Sequence, residues 1–103
     1  MNLLITREAE RHIETIDAWW RTNRPASPGL FEQELAGALD LIQTWPGVGR
    51  RRRHRSISGL RRVLLRATRY HVYYASPPGS DTVFVLAVWS AVRGRMPRIE
   101  APE

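Results

Sequence analysis

An arginine-rich run occupies the middle of the chain, where five arginines and one histidine fill positions 50 to 55. Guanidinium groups bind phosphates and carboxylates through paired hydrogen bonds, so the run predicts contact with nucleic acid or with an acidic protein surface. Its charges repel one another, which predicts an exposed loop rather than a packed element. A solvated loop without a partner explains the run equally well. The candidate binding residues of the run are Arg50, Arg51, Arg52, Arg53 and Arg55.

A second set of arginines accompanies the strands predicted in the second half of the chain. Four of them lie on or beside one strand: Arg61, Arg62, Arg66 and Arg69. Three follow the last strand: Arg93, Arg95 and Arg98. Antiparallel neighbours could bring some of these guanidinium groups together on an exposed sheet face, where they would stabilise a phosphoryl transition state or bind acidic side chains. For this set taken alone we favour a polar outer sheet face without catalysis.

Three side chains near these arginines could transfer a proton in catalysis: His54, His71 and Tyr70. His54 lies within the arginine-rich run, and Tyr70 and His71 begin a predicted strand. The spacing of the histidines matches no metal-binding motif, and the chain has no cysteine to supply a thiolate ligand. The sequence therefore predicts neither a metal site nor a cofactor.

Two amphipathic helices are predicted in the first half of the chain, where apolar residues recur at steps of three and four. The first helix begins at Arg7 with Thr6 as its N-cap. The second helix is predicted to begin at Ser27-Pro28, with serine as N-cap and proline at the first helical position, and its apolar stripe ends at Trp45. The short connection between the helices predicts an antiparallel hairpin.

Four strands are predicted around the helices, at Asn2 to Thr6, Leu60 to Ala67, Tyr70 to Ala75 and Thr82 to Trp89. The last strand is apolar on both faces, which indicates an interior strand covered on both sides. The order β-α-α-β-β-β predicts an α+β fold in which an antiparallel sheet packs against the N-terminal helix hairpin. Most of the four tryptophans are expected on core-facing positions: Trp19, Trp20, Trp45 and Trp89.

The 103 residues are enough for one domain, predicted to span residues 1–103. The net charge of +6 comes from the second half, because residues 50–103 hold 12 of the 16 arginines but 3 of the 10 acidic residues. Such a field attracts phosphate backbones or an acidic protein. The N-terminus does not read as a signal peptide, and the uncharged stretches are too short to span a bilayer, so a soluble, cytoplasmic protein is expected.

Five segments occur in a characteristic order between positions 3 and 99. They are Ala9 to Trp20, the Phe31-x-x-x-Leu35 helix that ends in Trp45-Pro46-Gly47-Val48-Gly49-Arg50, Ser58-Gly59-Leu60-Arg61, Tyr70-His71-Val72-Tyr73-Tyr74 and Val85-Leu86-Ala87-Val88-Trp89. In this order and spacing they resemble the RelE/ParE superfamily of type II toxin–antitoxin toxins, whose β-α-α-β-β-β core agrees with the predicted fold. The resemblance implies a small toxin that inhibits growth and that a cognate antitoxin neutralises in a hetero-oligomer.

The resemblance implies two mechanisms. ParE-like members inhibit DNA gyrase, whereas RelE-like members cleave mRNA on the ribosome with Arg, Lys, His, Glu or Tyr side chains in place of a metal. The segment Trp89 to Pro97 lacks the C-terminal His-Tyr or Tyr of many nuclease members, so a ParE-like gyrase inhibitor is favoured. The alternatives are a ribosome-dependent mRNA endonuclease and a non-toxic nucleic-acid-binding module.

The resemblance also implies site residues. Arg61, after the Gly-Leu strand entry, and Arg93, after the last strand, match arginines of the superfamily. If the chain is a nuclease, its catalytic candidates are Arg61, His71, Arg93, His54 and Tyr70. The surface expected to bind the target or the antitoxin comprises Arg50, Arg51, Arg52, Arg53, Arg55, Arg61, Arg62, Arg93 and Arg95.

Overall fold

Two helices and five strands make up the fold in the computed structural model, which describes residues 1–101. In chain order the elements are β1 (Asn2–Ile5), α1 (Arg7–Asn23), α2 (Leu30–Thr44), a 3-10 turn (Pro46–Val48), β2 (Arg50–Arg51), β3 (Arg61–Leu65), β4 (Tyr70–Ala75) and β5 (Thr82–Ser90). The predicted α+β class and the order β-α-α-β-β-β are confirmed. The last two residues of the predicted domain lie outside the described residues.

The five strands form one sheet in the order β1-β5-β4-β3-β2. Successive strands from β2 to β5 pair antiparallel, as predicted, but β1 runs parallel to β5, so the sheet is mixed. A parallel pair needs a long crossover connection, and α1 and α2 lie in the chain between the two partners. β5 is an interior strand, as its apolar sequence predicts.

The start of α1 is fixed by Thr6, whose side chain accepts a hydrogen bond from the backbone N–H of Ala9 at 3.3 Å. This N-cap is the predicted one. Glu8 and Glu10 lie in the first turn and Arg21 in the last, which complements the helix dipole at both ends.

The second helix begins later than its sequence predicts. α2 starts at Leu30 with Gly29 as its N-cap, whereas Ser27 and Pro28 lie in the preceding turn. The carbonyl of Ser27 accepts hydrogen bonds from the indole N–H of Trp20 at 2.9 Å and from the backbone N–H of Leu30 at 3.2 Å. These two bonds stabilise the turn at the position where the predicted helix would have started.

The tryptophans are less buried than their positions in the sequence predict. Trp20 is in the core, but Trp19 is 44% exposed and Trp45 is 61% exposed. Trp45 is the C-cap of α2, with φ −138° and ψ 79°, so the chain has left the helix there and the predicted apolar stripe ends before this residue.

The sheet has two covered faces. On the first face, α1 and α2 pack over a core that includes Phe31, Ile42, Val72, Val85 and Val88. On the second face, a smaller core includes Ile57 and Leu60 from the β2–β3 connection and Ile99 from the C-terminal segment. A register shift between Tyr73 and Tyr74 marks a bulge in the β4–β5 pair. Within the described residues no helix is long and apolar enough to cross a membrane.

Candidate functional site

A cationic cleft lies on the second face of the sheet, the face that points away from the helices. It has a volume of about 240 Å³. The side chains that define the cleft are Arg52, Arg62, His71, Tyr73, Arg93 and Arg95. They come from the β2–β3 connection, β3, β4 and the segment after β5, so four parts of the chain converge on one site.

The strand register explains why these residues meet. Arg62 on β3 pairs with Tyr73 on β4, and the next residue of β4 with the same orientation is His71. The guanidinium of Arg62 donates a hydrogen bond to the phenol oxygen of Tyr73 at 3.2 Å and lies 5.9 Å from the centre of its ring. The rings of His71 and Tyr73 pack edge to face, and their centroids lie 6.0 Å apart.

The arginine-rich run contributes to the cleft because it does not form the fully irregular loop that its charge density predicts. Arg50 and Arg51 form the edge strand β2, which pairs with Arg62 and Arg61, and the N–H of Arg52 bonds to the carbonyl of Leu60 at 2.8 Å. The guanidinium groups of Arg50 and Arg51 are exposed, so water screens their repulsion and the backbone can still pair. β2 directs Arg52 to the same face as Arg62.

Positive charge dominates the electrostatics of the cleft. Among the described residues, ion pairs within 4.0 Å involve Arg11, His12 and Arg21, but none of the arginines of the cleft. The Nε of Arg52 is buried and has no acceptor in the described part of the chain. Donors in this state favour an anionic ligand, either a phosphate group or a carboxylate.

The surroundings of His71 in the cleft lower the pKa of its imidazole. Burial lowers the pKa of its imidazole below the ordinary 6.5, and the nearby Arg62, Arg52 and Arg69 lower it further. His71 is therefore neutral at pH 7, when its ring can accept a proton from a bound hydroxyl group.

Arg61, a candidate catalytic residue, lies away from the cleft. It pairs with Tyr74, whose side chain belongs to the core on the first face, and its guanidinium donates to the carbonyl of Gly49 at 2.8 Å. The phenol of Tyr74 accepts a hydrogen bond from the N–H of Gly49 at 2.8 Å and donates one to the carbonyl of Pro46 at 2.7 Å. Arg61 thus helps to anchor the end of α2 to the sheet.

Tyr70 and His54 also lie outside the cleft. Tyr70 packs against the core on the first face, where its ring and that of Phe31 form a T-shaped pair with centroids 5.5 Å apart, and burial raises the pKa of its phenol. The Nδ1 atom of His54 accepts a hydrogen bond from the N–H of Ser56 at 3.1 Å, and the residue lines a separate hollow of about 400 Å³ with Arg51 and Arg53. The proton-transfer candidates are thus spread over three places.

The remaining arginines of the predicted binding surface are exposed, and Arg50 extends the positive surface along the sheet. A hollow of about 420 Å³ beside the cleft is lined by Arg50, Arg62, Arg66 and His71. Arg55 is exposed in the β2–β3 connection, and Arg93 lies 4.6 Å from the centre of the Trp89 ring. The structure thus brings together Arg52, Arg62, His71, Arg93 and Arg95, and places Arg50 next to them.

Residues 3–94 match the family described as the ParE toxin of the type II toxin–antitoxin system parDE. The chain belongs to the ParE toxin family. No curated protein matches the chain.

Two solved structures share the fold of this ParE-family chain. One is a chain of the chromosomal ParDE toxin–antitoxin system from P. aeruginosa, which is 16% identical, with 87% of this chain and 95% of that chain covered and a TM-score of 0.70. The other is the isolated E. coli RelE toxin, which is 20% identical, with 90% of this chain and 86% of that chain covered and a TM-score of 0.55. At these identities the similarity shows the fold alone.

Two side chains with defined positions in this ParE-family fold were not assigned a role from the sequence. Tyr73 lies two residues after His71, and this spacing on a strand is a signal for a shared face that sequence reasoning could have used. His12 accepts a hydrogen bond from the N–H of Val88 at its Nδ1 atom, at 3.2 Å, and its Nε2 atom lies 3.2 Å from Glu8. His12 therefore bonds α1 to β5, a contact between residues far apart in the sequence.

Residues 1–101 contain no group of three or more His, Cys, Asp or Glu side chains that could hold a metal ion.

Proposed function

We propose that the chain arrests growth by binding DNA gyrase in the cytoplasm and that a cognate antitoxin neutralises it. The observation that carries this proposal is the match of residues 3–94 to the ParE toxin family. The geometry supports a mechanism based on binding. The cleft presents a set of guanidinium groups that have no carboxylate within 4.0 Å among residues 1–101, whereas two of the three proton-transfer candidates lie elsewhere.

A surface of this kind suits a complex with DNA-bound gyrase. The enzyme presents carboxylates, and its DNA presents phosphodiesters. Guanidinium groups recognise either anion through the same paired hydrogen bonds. Arg52 and Arg62 both line the cleft and are without carboxylate partners among the described residues, so a bound anion would replace water rather than an internal ion pair.

Gyrase supercoiling of a relaxed plasmid in the presence of the purified chain tests the proposal. We expect inhibition by the parent chain, and inhibition at least about tenfold weaker for a variant with Arg52→Gln and Arg62→Gln, since charge-pair contacts at interfaces commonly contribute more than 1.4 kcal/mol. The matched control carries Arg7→Gln and Arg11→Gln on α1, which removes the same charge from the helical layer. Normal supercoiling at a large excess of folded chain contradicts the proposal.

RNA cleavage without a metal is a second candidate function, and the position of His71 favours it. A neutral imidazole among arginines could accept the proton of an RNA 2′-hydroxyl while the guanidinium groups stabilise the charge that develops on the phosphate. Loss of a general base costs about 100- to 10,000-fold in rate. Gyrase inhibition requires no such base, so His71→Gln should leave toxicity within a few-fold. Abolished growth arrest by this folded variant, with Tyr70→Phe and His54→Gln as controls outside the cleft, would favour RNA cleavage.

A further inference from the structure

The cationic cleft and the hollow beside it are two parts of one concave surface, because both are lined by Arg62 and His71. Arg62 pairs with Tyr73 across β3 and β4. Leu64 pairs with His71, so these four side chains share the second face of the sheet. The cleft has a volume of about 240 Å³ and the hollow one of about 420 Å³. The surface thus has a small cationic part and a larger part that includes apolar side chains.

The charge of the small part favours a doubly charged anion. No acidic side chain lines the cleft within the described residues, whereas four arginines do: Arg52, Arg62, Arg93 and Arg95. A carboxylate or a phosphodiester carries one negative charge. A phosphomonoester carries a charge of about −1.5 to −2 at pH 7 and has three strong acceptor oxygens. A terminal phosphate therefore matches four guanidinium groups better than a carboxylate or a phosphodiester does.

The donors of the cleft are held in place by the fold. The guanidinium of Arg62 donates to the phenol oxygen of Tyr73 at 3.2 Å, and that of Arg93 lies 4.6 Å from the centre of the Trp89 ring. The Nε of Arg52 is buried and has no acceptor among residues 1–101. Side chains that are already ordered lose little freedom on binding, and a buried donor gains a hydrogen bond from an anionic acceptor. The cleft is thus preorganised for an anion.

The larger part offers a surface for a flat, partly apolar group. Leu64 is 38% exposed, and it lies beside the imidazole of His71 on the neighbouring strand. Nucleic-acid bases stack on flat side chains of this kind. The hollow is within the range of about 300–1,000 Å³ that is typical of small-molecule sites, whereas the cleft alone is below it. The cleft therefore suits a phosphate group and the hollow suits the nucleoside attached to it.

We propose that the cleft and the hollow together bind a nucleotide through its terminal phosphate. The phosphomonoester contacts Arg52 and Arg62 in the cleft, and the nucleoside packs against Leu64 and His71. The same chemical group occurs in a free nucleotide and at the 5′ end of a nucleic-acid strand. This inference goes beyond the proposed function and does not rest on it, because it requires neither gyrase nor an antitoxin.

Adenosine 5′-monophosphate is the first probe. It is titrated into the full chain at about 0.15 M salt, where surface attraction is largely screened, and binding is followed by calorimetry and by backbone amide NMR. We expect saturable binding and amide shifts centred on residues 62–64 and 71–73. Cyclic 3′,5′-AMP keeps the base and the sugar but has a singly charged phosphodiester, so it should bind at least about tenfold more weakly.

Variants test the two parts of the site separately. Arg52→Gln with Arg62→Gln should weaken binding of adenosine 5′-monophosphate by at least about tenfold. The matched control is Arg53→Gln with Arg55→Gln, two exposed arginines of the same run that line neither the cleft nor the hollow, and it should change the affinity less than about twofold. Leu64→Thr should weaken binding of the nucleotide by about threefold and leave binding of inorganic phosphate unchanged. Circular dichroism checks that each variant is folded.

A trinucleotide with a 5′-phosphate distinguishes the two sources of the phosphate. Affinity equal to that of adenosine 5′-monophosphate, and lost with a 5′-hydroxyl, would support the site and assign it to strand ends. Affinity more than about tenfold weaker would support the site and assign it to free nucleotides.

Three results would overturn the site: no saturable binding of adenosine 5′-monophosphate, equal binding of cyclic AMP, or equal binding by the variant with Arg52→Gln and Arg62→Gln. Unchanged nucleotide affinity in Leu64→Thr would overturn the placement of the nucleoside. A chain that inhibits gyrase but does not bind the nucleotide contradicts only this inference. A chain that binds the nucleotide but leaves gyrase active contradicts only the proposed function.

Discussion

Replacing Gly49 with alanine will destabilise the fold although the backbone of this residue suits any amino acid. Its φ of −73° and ψ of 157° are those of extended backbone, so the cost is steric. A Cβ atom here would lie 2.5 Å from the phenol oxygen of Tyr74 and 2.9 Å from the carbonyl oxygen of Arg62. The first contact pushes on a phenol that is held by hydrogen bonds to Gly49 and Pro46, and the second is with backbone.

The expected loss of unfolding free energy is about 2–3 kcal/mol. Overpacking a close contact costs about 1–3 kcal/mol, and a displaced hydrogen bond adds about 1 kcal/mol. The lower conformational entropy of alanine than of glycine in the unfolded chain offsets about 0.4–1 kcal/mol of this loss. Urea unfolding followed by tryptophan fluorescence measures the change, and at a slope near 2 kcal/mol per molar urea the midpoint should fall by roughly 1–1.5 M.

A double-mutant cycle with Tyr74→Phe isolates the cause. Alone, Tyr74→Phe leaves the buried N–H of Gly49 without its acceptor and should cost about 1–3 kcal/mol. In that background Gly49→Ala should cost less than in the parent, because the contact at 2.5 Å with the phenol oxygen is gone, while the carbonyl oxygen of Arg62 and the ring carbon Cε1 of residue 74, each at 2.9 Å, remain. Additivity of the two changes within about 0.5 kcal/mol would refute the steric argument. Gly37→Ala is the control, since its Cβ meets nothing within 4 Å on α2, and it should stabilise the helix by about 0.5–1 kcal/mol.

Three further predictions concern charged and titratable groups. Glu34→Gln should cost about 1–3 kcal/mol, measured by urea unfolding at pH 7, because the carboxylate accepts three hydrogen bonds from Ala67 and Thr68. Burial tends to raise the pKa of Glu34, but those bonds keep it below 4.5. The stabilisation by the Glu34 carboxylate is therefore present above pH 4.5 and is lost as the pH falls further. A cost of Glu34→Gln that does not change with pH would contradict this explanation. The pKa of His71 is lowered in the fold, so the parent should lose stability as the pH falls below 6.5, and an equally steep loss in His71→Gln would contradict that cause. If single-stranded nucleic acid binds the cleft, Arg52→Gln should reduce the slope of log K against log salt by about 0.7, and an unchanged slope would place the contact elsewhere.

The two helices and the order of the elements along the chain could be predicted from periodicity, because helix and strand patterns in this chain reflect burial on the faces that the structure shows. The exceptions have local causes. Ser27 resembles an N-cap, but its carbonyl is held in a turn by Trp20. β2 was missed because charge density is a poor guide to pairing at an exposed sheet edge, where backbone bonds form while the side chains remain in water.

The cleft could be predicted only as a set of residue types. Arg52, Arg62 and His71 were candidates, but whether they meet depends on the pairing of β2, β3 and β4, which residue types alone do not give. A shift of one residue in the β3–β4 pair would have brought Arg61 to the cleft instead of Arg62, but it would also have moved Val63 and Leu65 out of the core on the first face. The parallel pairing of β1 with β5 could not be predicted at all, because it joins two segments that are about 80 residues apart in the sequence.

The central proposal, inhibition of gyrase by a ParE-family toxin, is tested most directly by following plasmid topology and transcript integrity in the same cells after induction of the chain. We expect growth to stop together with a loss of negative supercoiling or an accumulation of cleaved DNA, while transcripts remain intact, and we expect co-expression of the antitoxin to reverse both effects. Fragmented transcripts with normal plasmid topology would show that gyrase is not the target.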